Sequence, residues 1–187
     1  MNKINTQIFN LAVPYLKKAV MKDFVLHTKG VIKSMELLLK KEKGDPEILI
    51  PCAILHDTGF SKVPKTMQKS KDRSKKIRGM ELHLEYAPEV IREILTQVDF
   101  DKKKIKRICD IVVAHKFKKP RDHEKRLLID ADNLSDVFKE QFYKDSQAYK
   151  QKPKWLLAYR VEHNRFYTKT AQEMFDKEVK KRKKEIE

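Results

Sequence analysis

The stretch ILIPCAILHDTGF, Ile48 to Phe60, decides the fold. Its first part, Ile48 to Leu55, is apolar on every side. A helix without a wet face belongs at the centre of its domain. Asp45 and Pro46 form a cap and first-turn proline for it, and Gly44 ends whatever precedes it. The spacing predicts a helix over Pro46 to His56, with Pro51 inside as a kink point. His56 and Asp57 follow where the apolar run stops. Adjacent residues on a helix point about 100° apart, so imidazole and carboxylate converge most easily where the chain leaves the axis. A metal could take both there.

Working outward, apolar residues recur at three and four, and alternating runs of strand length are almost absent. The chain therefore reads as all-α. A first helix covers Lys3 to Met21, kinked or restarted at Pro14. A second runs from Asp23, its N-cap, to about Lys43, with His27, Val31, Met35 and Leu38 on one face. After HDTGF comes SKVPKTMQKSKDRSKKIR, 61–78, with eight basic residues and one acid, which reads as a mobile surface loop. A fourth helix runs from Gly79 to Val98 with His83, Ala87, Val90, Ile94 and Val98 inward and Pro88 as a kink. Asp99 is a turn residue. Asp101 caps a fifth helix ending near His115, with Ile105, Ile108 and Val112 on the same face as His115. A sixth spans His123 to Tyr143, with Leu128, Ala131, Asp132, Ser135 and Phe138 inward. The last helical stretch follows Pro153 and includes Trp155, Tyr159, Phe166 and Phe175. The tail, 177–187, is a solvated or frayed helix end.

The length, 187 residues, is enough for one domain that buries roughly 70% of its unfolded surface. The two cysteines, Cys52 and Cys109, lie in apolar stretches and read as buried free thiols, which fits a reducing compartment. No signal peptide and no run of membrane-spanning length stands out, so the expected location is cytoplasmic, with no membrane partner and a monomer or homodimer. A net charge of +16 favours anionic partners: a phosphate or nucleotide substrate, or nucleic acid.

Four of the six histidines, His27, His56, His83 and His115, fall on apolar stripes or at the end of the most buried helix. Asp132 joins them from the inner stripe of the sixth helix. Any one alone is more often a satisfied core residue than a ligand. Together they need partners once buried, and one shared metal, or two, would satisfy all. His123 and His163 read as surface residues.

The pattern resembles the HD-domain metal-dependent phosphohydrolases. The resemblance rests on D-x-x-x-H-x-x-x-V at Asp23, His27 and Val31; on LHDTG, Leu55 to Gly59; and on LLIDADNLSDV, Leu127 to Val137. HLEYAPEVIREIL from His83 resembles the family's helix after the loop, and RFYTKTAQEMF, Arg165 to Phe175, its closing helix. It covers most of 20–176 and implies a single HD-type domain over 1–187: a bundle of about six to eight helices around a central buried helix. It also implies that His27, His56, Asp57 and Asp132 bind one divalent metal. His83 and His115 match positions that hold a second metal or contact the substrate phosphate. Thr58 and Phe60 replace residues of the family's HDIGK form, and Asn133 and Ser135 those after the distal Asp. Neither the HD-x-x-E-D form of the (p)ppGpp hydrolases nor the GYP element of the cyclic-di-GMP branch is present.

Imidazole with carboxylate suits Mn, Fe, Co, Ni or Zn over Ca, with Mg also a candidate. An open coordination position brings the pKa of a bound water toward roughly 7, making it a nucleophile for phosphorus. Asp57, His83 and His115 are the candidate catalytic groups. Lys62, Lys65, Lys116 and Lys118 are candidates to steer and hold the anion. The expected activity is hydrolysis of a phosphomonoester or phosphodiester of a nucleotide. The alternative is a non-catalytic metal-containing HD module that binds nucleic acid or another polyanion through its basic surface.

Overall fold

The computed structural model describes residues 1–186. Among them all regular structure is helical. The order is α1 (Lys3–Lys18), α2 (Phe24–Leu38), α3 (Pro46–Leu55), a 3-10 turn (Thr58–Lys62), α4 (Lys65–Gln68), α5 (Arg73–Thr96), α6 (Lys102–Val112), α7 (His123–Ser135), α8 (Lys139–Ala148), α9 (Pro153–His163) and α10 (Lys169–Ile186). No helix is long and apolar enough to cross a membrane. Both cysteines are free and buried.

α3 is the hub. Every residue from Leu49 to Leu55 is buried, and α1, α2, α6 and α7 pack around it. Each fully buried Leu or Ile, such as Leu49, Ile54 and Leu55, contributes about 1.5–3 kcal/mol. Asp45 accepts from the Glu47 amide at 2.8 Å, and Pro46 needs no partner in the first turn. A second, smaller apolar cluster joins Leu134, Val137, Phe142, Leu156, Leu157, Phe175 and Val179 from α7 to α10.

Several boundaries differ from the periodic reading. α1 runs through Pro14 without a restart and ends at Lys18, and α2 stops at Leu38 rather than near Lys43. The basic stretch 61–78 is not one loop: it holds the 3-10 turn, α4 and the first turns of α5. Asp72, its single acid, caps α5 by accepting from the Ser74 amide at 2.7 Å, six residues earlier than apolar spacing alone shows. The expected sixth helix is two. Phe138 is extended between α7 and α8, while Asp136 turns to Arg160 at 2.5 Å. The last stretch is also two helices. Asp130 accepts from the Tyr167 and Thr168 amides at 2.8 and 2.9 Å, and this holds the chain extended ahead of α10. The tail is not fully solvated, because α10 buries Val179 and Arg182.

Candidate metal centre

The HDTGF segment works as its composition suggests. His56 keeps helical angles at the end of α3, and Asp57 leaves them as cap of the 3-10 turn. The Thr58 hydroxyl donates to the Leu55 carbonyl at 2.7 Å and closes the helix end. Gly59 then passes so close to α5 that a Cβ there would lie 2.0 Å from the His83 carbonyl oxygen and 2.9 Å from the Ala87 nitrogen. Only glycine permits that approach, and the approach brings His83 to Asp57.

Six expected residues meet: His27 from α2, His56 and Asp57 at the end of α3, His83 from α5, His115 just past α6, and Asp132 from α7. All are buried. Asp57 lies at the middle. Its Oδ2 is 3.4 Å from His27 Nε2 and 3.2 Å from His56 Nε2. Its Oδ1 is 3.7 Å from His83 Nε2 and 3.8 Å from His115 Nε2. Asp132 Oδ1 stands 3.1 Å from His27 Nε2 and 4.0 Å from His56 Nε2. Ligand atoms of two triads sharing Asp57 lie close enough to hold an ion: His27, His56 and Asp57, and Asp57, His83 and His115.

The far ring nitrogens determine what the near ones can do. His56 Nδ1 lies 3.0 Å from the Ala53 carbonyl and His115 Nδ1 2.6 Å from that of Val112. A carbonyl only accepts, so both Nδ1 atoms carry the hydrogen. Ser135 donates its hydroxyl to the Asp132 carbonyl at 2.8 Å, and its oxygen, 3.3 Å from His27 Nδ1, is left to accept there. In the neutral form, three Nε2 lone pairs therefore point at carboxylate lone pairs. His27 and His56 Nε2 are also 3.3 Å apart, and His83 and His115 Nε2 3.5 Å. Such a cluster is stable only around positive charge, and a divalent cation meets all the lone pairs at once. The donor set fits a metal.

The acid–base properties agree. Burial opposes charge on Asp57, yet His56, His115 and His27 hold its carboxyl well below the usual range. Burial likewise opposes charge on Asp132, and Lys116 and His27 hold it down. Burial and Lys22 work against the His27 imidazolium, but Asp132 and Asp57 carry its pKa upward. His83 is pushed down to about 3 by burial and by His115, and burial also lowers His115.

The proposed substrate lysines are dispersed. Lys116 places its ammonium on Asp132 Oδ2, with the side chain 34% exposed. Lys62 pairs with Glu89 on α5. Lys65 opens α4 and is exposed, and Lys118 lies in the 116–122 turn with Pro120 and Arg121. His123 and His163 are near the surface, and Asp101 caps α6.

Several residues with no assigned part support the site. Phe60 stacks on His83 with centroids 4.1 Å apart and planes 5° from parallel, and its other neighbour is Phe24 at 5.0 Å. Ser135 orients His27. Asn133 and Asn164 exchange bonds with the facing backbone, to Arg165 O at 2.9 Å and Asn133 O at 3.0 Å, tying α7 to the α9–α10 link. Phe60, Ser135 and Asn133 are places where the chain departs from the HD pattern, and that was the available signal. A family model described as HD domain matches residues 24–136, more than half of the chain and all six residues of the centre. No curated protein matches, and no solved structure does.

Proposed function

The chain belongs to the HD-domain family, and from that premise we propose that it is a metal-dependent phosphohydrolase cleaving a phosphomonoester or phosphodiester of a nucleotide. The observation that carries the reading is the inward set of Nε2 lone pairs around the Asp57 carboxylate, with the ring hydrogens committed to Ala53, Val112 and Ser135.

In this reading His27, His56, Asp57 and Asp132 hold one divalent ion. Asp57, His83 and His115 hold a second ion or meet the phosphate. The metal, drawn from Mn, Fe, Co, Ni, Zn or Mg, supplies Lewis acidity and a nucleophilic water at neutral pH. Asp57 is placed to accept a hydrogen bond from a water and so orient it, since its carboxylate stays ionised and faces both halves of the centre. Lys116 neutralises Asp132 and is exposed enough to turn toward a phosphoryl oxygen. His83, kept neutral beneath Phe60, meets the centre without a charge.

The test is metal analysis of the purified protein followed by a nucleotide-hydrolysis screen with each metal. Activity should require metal and disappear in His56→Ala and Asp57→Ala. Turnover that survives either substitution would refute the assignment.

A further inference from the structure

A cleft of about 730 Å³ lies between the end of α1, the 68–76 stretch, and α8–α9. That volume suits a small ligand. Its wall carries three exposed aromatic side chains, Tyr149 at 37%, Trp155 at 51% and Tyr159 at 41%. Trp155, Tyr159 and His163 stack in a column along α9, at 5.3 Å and 17° and at 4.0 Å and 15°, which leaves the outer face of Trp155 uncovered at the cleft. Across from them stand Lys69, Lys71 and Lys76, exposed and paired with no carboxylate among the described residues. One open indole face in a cleft with free ammonium groups matches an anion that carries a planar ring.

No residue of the metal centre lines the cleft, and neighbouring residues link the two. Met80, in its wall, is one turn before His83 on α5. Gln68, in its floor, donates to the Phe60 carbonyl at 3.0 Å, and Phe60 stacks on His83. Arg160 reaches from the wall to Asp136, one turn past Asp132.

Resting on the phosphohydrolase reading for its meaning but not for its test, we propose that this cleft is a nucleotide-recognition site beside the centre, distinct from the place where phosphate would be cleaved. It takes a nucleoside phosphate, with the base against Trp155 and phosphates toward Lys69, Lys71 and Lys76. Trp155, backed by Tyr159, selects for a ring, the lysines select for phosphate, and an isolated phosphate or nucleoside meets only half of the site.

Trp155 is the only tryptophan in the chain, so its fluorescence reports on the cleft alone. Chelator-treated full-length protein is titrated with ADP, adenosine, pyrophosphate and a single-stranded oligothymidylate. The expected result is saturable quenching by ADP, with adenosine and pyrophosphate each at least about 10-fold weaker. By calorimetry, Trp155→Leu should weaken ADP binding about 5- to 150-fold, the range of one lost base stack. Lys71→Glu with Lys76→Glu should weaken it too, with circular dichroism unchanged. Equal binding of pyrophosphate, unchanged affinity in Trp155→Leu, no ADP quenching, or an oligonucleotide that binds more tightly than ADP would each overturn the proposal. Because no metal is present, ADP binding without turnover in any metal counts against the hydrolase reading alone. Turnover of some phosphoester without ADP binding counts against the cleft alone.

Discussion

Ser135→Ala tests the reasoning about the metal centre at its least obvious point. The hydroxyl touches no proposed metal ligand atom. It donates to the Asp132 carbonyl at 2.8 Å and faces His27 Nδ1 at 3.3 Å. Its removal leaves a buried Nδ1–H without an acceptor, a cost of about 1–3 kcal/mol if the proton stays. His27 can escape that cost by moving the proton to Nε2, where Asp132 Oδ1 at 3.1 Å and Asp57 Oδ2 at 3.4 Å accept it. The escape blocks the nitrogen needed for a metal. The substitution should therefore lower stability little and metal affinity much, by roughly 10- to 100-fold, the usual effect of losing a partner that orients a ligand, or about 1.4–2.7 kcal/mol. The assay is a Co²⁺ titration followed by visible absorption and repeated with Mn²⁺ by calorimetry, with thermal melts of the metal-free proteins alongside. An affinity within about threefold of the parent, in a variant that melts normally, would refute the tautomer argument.

Other outcomes follow from the same geometry. Gly59→Ala should destabilise by about 3 kcal/mol or more in urea unfolding, because its Cβ meets α5 backbone that cannot step aside. Arg160→Met leaves Asp136 and the fully buried Asp145 without their shared cation and should cost about 3–5 kcal/mol; Asp145→Asn in that background should recover part of it. In the metal-free protein, His83 titrates at about 3 against 6.5 when free. The unfolded chain then binds that proton first, so the stability from His83 is complete above pH 6.5 and is lost as pH falls toward 3. His115 shifts the same way. His27 shifts oppositely, and its contribution is present below the unfolded value and lost as pH rises. Through the large shift of His83 the urea midpoint should fall on acidification below pH 6.5, and His83→Gln should flatten the slope.

The parts of the fold legible in the sequence were those written in apolar spacing. The wholly apolar α3, the stripe of α5 ending in Ile94, and the face of α6 shared by Ile105 and Val112 all sit where periodicity puts them. The six residues of the centre were legible because imidazoles and carboxylates on apolar faces have nowhere to go but to one another. The breaks were written in tertiary contacts instead. No glycine or proline marks the end of α7. It stops because Asp136 turns to an arginine 24 residues later, a partner invisible to local pattern. The extended 164–168 link likewise depends on Asp130, whose carboxylate is spent on the 167–168 segment rather than on the histidine cluster. The start of α5 did have a local sign, Asp72 with Ser74 two residues on, hidden among lysines.

The separate apolar cluster that binds α8, α9 and α10 to the far end of α7 has a consequence for motion. A group of helices with its own small core, fastened to the rest by the Arg160–Asp136 ion pair, the Asp130 bonds to the 167–168 amides, the Asn133–Asn164 exchange and the seat of Ala171, can open without the larger core opening. In amide hydrogen exchange, α8 to α10 should then behave as one unit that opens at lower free energy than α3 and its neighbours. The frame that gathers the histidines stays shut while the wall beside it breathes.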